Sequence, residues 1–231
     1  MSELPSELPN ISPPRLAAPS RWDAKLAHRL VLPLSNSRVT PNDLTTVRLA
    51  TGLAAAAAFI PGTYAWSNIA ALLLVVSNFL DHADGELARI SGKTSRFGHF
   101  YDLACDTVVT VLLFVAMGLG VRASSGIPLD IPPVVLGAIA GTAIALIFFL
   151  RMRIEEMAGK GASRQGTFRG FETEDVLYLL PLVTLWDGVI PLLLAASIGA
   201  PLFASRVVLE YYRLLRSPKP AAQSTSDAEL A

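Results

Sequence analysis

Apolar residues run through this chain in blocks too long for the core of an aqueous globule. Leu49 to Leu80 contains no charged residue, and Pro61-Gly62 interrupts it near the middle. A run of that length with a turn signal inside predicts two helices joined by a tight hairpin. Thr107 to Val121 is again uncharged and continues backwards into a polar stretch, while Ile131 to Leu150 is apolar and long enough to cross a bilayer alone. Val176 to Trp186 is short, and Gly188 to Ser205 is adequate. The pattern predicts six helices, at 43–60, 64–90, 97–121, 132–155, 173–186 and 188–215.

Charge placement orients them. With the N-terminus in the cytoplasm, 18 of the 19 Lys and Arg residues fall on the cytoplasmic side and only Arg122 falls outside, as the positive-inside rule requires. Without a turn at Trp186-Asp187-Gly188 there would be five spans, and the basic C-terminus would land outside. The ends are different material. Residues 1–14 hold four prolines and no apolar core, so they are neither signal peptide nor span and are expected to be disordered. In residues 15–38, Trp22, Leu26 and Leu30 recur at helical spacing beside Arg21, Lys25 and Arg29, which suits an amphipathic helix on the cytoplasmic surface. Residues 39–216 form the predicted six-helix transmembrane domain, and 217–231 read as a disordered polar tail.

Composition narrows the class. Hydrophobic residues make up 52%, charged residues 16%, and mean hydropathy is +0.47; an ordinary soluble domain carries about 25% charged residues. Lys and Arg balance Asp and Glu at 19 each, which disfavours a broad basic surface for nucleic acid. The single cysteine, Cys105, excludes a disulfide framework. An all-α polytopic membrane protein remains.

Four carboxylates then stand out. Asp81, Asp84, Asp102 and Asp106 lie at or near membrane depth, where a central Asp costs about 2.5–3.5 kcal/mol. Asp81 and Asp84 are i and i+3, with Gly85 and Ala88 following on the same face; Gly98, Asp102 and Asp106 repeat at i+4 on the next helix. The short link Ile90–Arg96 makes these helices antiparallel neighbours, so the two stripes can meet. An oxygen-only cage of this kind selects Mg²⁺, Mn²⁺ or Ca²⁺ over zinc, and two divalent ions would neutralise four negative charges. Gly85 and Ala88 leave a strip free of large side chains, and Arg89 adds a cation at its edge. Together these suit a diphosphate ester.

Asp81-x2-Asp84-Gly85-x2-Ala88-Arg89-x8-Gly98-x3-Asp102-x3-Asp106 resembles, without a departure, the signature of the CDP-alcohol phosphatidyltransferase family. Pro41-Asn42-x-Leu44-Thr45-x2-Arg48 is similar to the start of that family's first helix. The resemblance implies an integral membrane enzyme of six transmembrane helices, a homodimer, with a cytoplasm-facing polar cavity. It implies transfer of a substituted phosphate from a CDP-linked donor, such as CDP-diacylglycerol, to an alcohol or phosphorylated alcohol, releasing CMP by single displacement. Asp81, Asp84 and Asp102 would be metal ligands for Mg²⁺ or Mn²⁺, two per site. Asp106 would be the general base and touch the second metal. Gly85, Ala88 and Gly98 would line the donor site, and Arg89 would hold the diphosphate. In a bacterium the protein would sit in the inner membrane, with the active site and both termini cytoplasmic.

Other polar residues carry alternatives. Arg151, Arg153, Arg164 and Arg169 suit either a pocket for an acceptor such as inositol phosphate or glycerol phosphate, or attraction to anionic lipid. Ser77 and Asn78 are spaced to donate to Asp81 or to cytosine; Asn42 and Thr45 could reach the same cavity. His82 and His99 suit local polar contacts, and Cys105 a packing role. The same chemistry with a soluble CDP-alcohol and a lipid acceptor is an alternative within the family. A cation- or proton-coupled transporter would also use membrane carboxylates, but leaves Gly85, Ala88 and Arg89 unexplained. Asp106→Asn is expected to keep metal and donor binding while CMP release falls by about 10²–10⁴-fold.

Overall fold

The structure is a computed structural model that describes residues 22–122, 131–158 and 178–216. All regular elements among the described residues are helical: α1 (Trp22–Val31), α2 (Pro41–Phe59), α3 (Tyr64–Ser91), α4 (Arg96–Gly120), α5 (Pro133–Ala158), α6 (Leu180–Leu185) and α7 (Val189–Arg216). A 3-10 turn, Leu32–Leu34, follows α1.

Local chemistry sets the helix ends. Thr40 and Asp43 form a reciprocal capping box at the start of α2, with Pro41 in the first turn. Thr63 and Ser95 cap α3 and α4 by accepting from the backbone N–H groups of Trp66 and Gly98. The α2–α3 hairpin turns at Pro61-Gly62, as the pattern predicts. Gly62 has φ +66°, and a Cβ there would lie 2.0 Å from the carbonyl oxygen of Gly120, so both conformation and space demand glycine. Gly92, also at φ +66°, ends α3. The last turn falls at Asp187-Gly188, between α6 and α7.

α2 packs against α3 and α4, α4 against α5, and α5 against α7; α1 and α6 lie on α3. Away from the motif end of α3 the core is apolar, with Phe59, Leu74, Leu113, Met117 and Leu193 buried together. A second cluster joins Ile147 and Ile154 of α5 to Ala204 and Val207 of α7, which carries Pro201 between its two contact regions. The α4–α5 contact is a seam of small residues. A Cβ on Gly137 would meet the carbonyl oxygen of Phe114 at 2.1 Å, and one on Gly118 that of Pro133 at 2.4 Å. Close backbone approach of this kind is how helices associate where water supplies no hydrophobic drive.

Among the described residues, four helices are long and apolar enough to cross a membrane: α3, α4, α5 through Ile154, and α7. Their outward faces expose large apolar side chains, Leu72 and Leu202 among them at 60% and 65%, which suits contact with lipid rather than water. α2 has 19 residues, about 28 Å at 1.5 Å per residue, but it opens on polar residues and carries Arg48. The predicted fifth helix, 173–186, is described only from Tyr178 onward; residues 173–177, Arg164 and Arg169 lie outside the described residues, as do 1–14 and 217–231. Gly137→Val should force α4 and α5 apart. A loss of about 1–3 kcal/mol is expected, read as a lower unfolding midpoint in detergent.

Candidate active site

The antiparallel hairpin of α3 and α4 brings its two carboxylate stripes together, with α2 across them. One carboxylate oxygen from each of Asp81, Asp102 and Asp106 lies within 4.8 Å of the others. Asp84 sits beside this trio, buried, accepting a hydrogen bond from Thr45 Oγ1 of α2 at 2.7 Å. Three half-buried acids and one buried acid thus share a small volume at one end of otherwise apolar helices.

Arg48 holds the cluster together. Its side chain is only 4% exposed, and its guanidinium pairs with Asp81, Asp102 and Asp106, with Asp84 at 3.9 Å. α2 delivers it there because Gly52, one turn on, has no side chain to hold α4 away: a Cβ at Gly52 would meet Val109 at 2.7 Å. Ser77 of α3 donates to the backbone carbonyl of Arg48 at 3.0 Å, so α2 is fixed to α3 at the residue that carries the charge. This corrects the expectation for Ser77, which bonds the backbone of α2 rather than Asp81. Four acids against one guanidinium leave a net negative site, and every donor is a hard oxygen. Such a set fits a divalent cation of the Mg²⁺ or Mn²⁺ kind, and the guanidinium already marks where positive charge is favoured.

The neighbouring strip is open. A Cβ on Gly85 would meet nothing nearer than Arg89 Nη2 at 4.0 Å, and Ala88 is half-buried beside it. Arg89 is exposed and pairs through Nη1 with Glu86 at 3.1 Å. Gly98 stands where α4 passes the start of α2; a Cβ there would meet Asn42 Oδ1 at 2.8 Å. His82 donates from Nδ1 to the carbonyl of Asn78 at 2.9 Å, and Cys105 is buried. Arg151 lies over the ring of Phe203, 5.7 Å from its centroid. Arg153 pairs with Glu156 and lines a groove of about 900 Å³ between the start of α4 and the end of α5, with Arg96, His99 and Phe149. Neither arginine is a partner of the carboxylate cluster among the described residues.

Arg48 was legible only as part of the α2 motif and as a topological charge. The available signal was its isolation: it is the one charged residue between Asp43 and Asp81, and a lone cation at the head of an apolar run needs a partner.

Fold and site together define a helical protein with membrane-length spans and a carboxylate cage suited to a divalent cation, set against a glycine-marked strip. The profile of the CDP-alcohol phosphatidyltransferase family matches residues 38–209, and the chain belongs to that family. It is 38% identical over 92 residues to the archaetidylinositol phosphate synthase of Pyrococcus horikoshii, covering 38% of this chain and 47% of that protein. It is 31% identical over 153 residues to the protein of the same name from Aeropyrum pernix, covering 64% and 71%. The phosphatidylinositol phosphate synthase of Streptomyces avermitilis is 37% identical over 82 residues, 35% of this chain and 32% of that protein. The chain therefore spans less than half the length of the Pyrococcus relative and about a third of the Streptomyces one.

Removing the Arg48 cation strands several acids against one another. Arg48→Met should destabilise the chelator-treated protein by about 3 kcal/mol, the low end for a buried pair because the acids keep some exposure. The gap to the parent should narrow when Mn²⁺ is added, as read by unfolding midpoints.

Proposed function

We propose that this protein transfers a lipid-bearing phosphate from a CDP-activated lipid to an inositol phosphate, releasing CMP. The observation that carries the reading is the convergence of Asp81, Asp102 and Asp106 from α3 and α4 within 4.8 Å, beside the open strip at Gly85. The names of the three relatives support the inositol phosphate as acceptor.

The residues divide the work by position. Gly85 and Ala88 let the cytidine end of the donor lie against the backbone of α3, with Gly98 on the opposite helix. Arg89 reaches the diphosphate from the edge of the strip. Asp81, Asp84, Asp102 and Asp106 would hold Mg²⁺ or Mn²⁺, two ions per site. Bound there, divalent cations offset negative charge on the diphosphate oxygens and make CMP a better leaving group. Asp106 takes the proton from the acceptor hydroxyl. The acceptor oxygen then forms a bond to the phosphorus that carries the lipid, and the bond from that phosphorus to the oxygen of CMP breaks with its electron pair. Arg151, Arg153, Arg164 and Arg169, at the end of α5 and in the segment after it, supply positive charge for the acceptor's own phosphate. Thr45 keeps Asp84 oriented, and Arg48 balances whatever negative charge the cations leave.

The same reading sets the chain in the bilayer with six crossings, the site and both termini on the cytoplasmic side, α1 on that membrane surface, and two copies associated as a homodimer. The 18-to-1 distribution of basic residues supports the orientation. The test is CMP release by the purified protein with Mg²⁺ or Mn²⁺ and CDP-diacylglycerol, offered an inositol phosphate, free inositol or glycerol phosphate. Release is expected with the inositol phosphate and lost with EDTA. Equal rates with free inositol, or none with any acceptor, would overturn the assignment.

A further inference from the structure

We propose that His28 and Glu86 are positioning residues for Arg89, so that α1 is a working part of the donor-diphosphate site; the inference rests on the reading of Arg89 given above. Glu86 is 5% exposed, and a buried carboxylate is costly unless it is paired. It has two partners from different elements. His28 of α1 donates from Nδ1 to Oε1 at 2.7 Å, and Arg89 donates from Nη1 to Oε2 at 3.1 Å. The carboxylate is therefore a bridge from α1 to the motif arginine, using one oxygen for each.

Helical geometry explains why Glu86 takes this role. Ala83, Leu87 and Ile90 form the row of α3 that receives Ala27 and Val31 of α1, while Asp81, Gly85 and Ala88 form the row that faces the site. Glu86 and Arg89 occupy the edge between the rows. The seat is firm: Ala27 and Leu87 are fully buried, and Lys93 beyond the end of α3 donates to the carbonyls of Ser37 and Val39 in the α1–α2 connection. Arg89 itself is 65% exposed, so an unanchored side chain would sample many rotamers. Tied at Nη1, it keeps Nη2 at 4.0 Å from the position a Cβ on Gly85 would take, above the open strip. If α1 were only a surface anchor, its apolar seat would suffice. A buried acid joined to both α1 and the motif arginine adds direction to that arginine.

The test is steady-state kinetics of the full chain with varied donor, together with equilibrium binding of CDP and of cytidine. His28→Phe and Glu86→Gln are each expected to raise donor KM about five- to tenfold, with kcat and acceptor KM within about twofold, the signature of lost ground-state binding. They should weaken CDP but not cytidine. His28→Asn, whose side-chain N–H can donate in place of Nδ1, should restore the parent donor KM. In an Arg89→Ala background, His28→Phe should add no further effect. If Arg89→Ala raises donor KM while His28→Phe and Glu86→Gln do not, or if the effects add in the double variant, the positioning role is wrong and the site reading stands. If Arg89→Ala leaves donor KM unchanged, the site reading fails, and the inference with it.

Discussion

A single guanidinium among four acids is the interaction on which the motif end of this helix bundle depends. Two carboxylates 4–5 Å apart repel by about 3–4 kcal/mol at the effective dielectric of a protein surface, and three pairs of this kind are pressed together between α3 and α4. Without a cation the hairpin that carries the motif would open at that end. Arg48 supplies the charge from α2, and Ser77 ties the backbone of the same residue to α3. The three helices that build the site are thus joined at the residue that balances its charge. Removing it would leave the acids to repel one another.

Much of this could be read from the residue pattern alone, and the reason is periodicity. The α2–α3 hairpin, the antiparallel α3–α4 pair and the last turn follow from uncharged runs broken by Pro61-Gly62, a short polar link and Asp187-Gly188. The meeting of Asp81 with Asp102 and Asp106 follows from i+3 and i+4 spacing on neighbouring helices. The contacts that escaped such reading are those between residues far apart in the chain. His28 meets Glu86 across 58 positions, and Arg48 meets Asp106 across the same separation. The isolation of Arg48 in its apolar run says that it needs a partner, but no local pattern names the partner of either residue. Arg48 looked like one more cytoplasmic charge because topology counts charges without asking which way they point. Ser77 shares the face of Asp81, yet α2 offered a nearer acceptor.

The two ends of the bundle are built on different principles. At the motif end, polar contacts between different helices specify the arrangement: Thr45 with Asp84, Ser77 with the Arg48 carbonyl, His28 with Glu86. Away from it, glycines and alanines let backbones touch, and the contacts are almost wholly apolar. Polar contacts demand fixed partners, whereas apolar packing demands fixed volume. The carboxylate site is therefore framed by interactions that are directional, above a floor that is merely tight.

Helix α7 joins these regimes in its own way. Its first half, with Val189 and Leu193, belongs to the main apolar cluster, and its second half, with Ala204 and Val207, to the cluster on α5. Pro201 falls between them and has no N–H to offer the carbonyl one turn earlier. The rod thus carries a missing rung at the point where its allegiance changes, and each half answers to its own neighbours. A displacement of the α5 end that bears Arg151 and Arg153 can be followed by the latter half of α7 without being relayed into the main core.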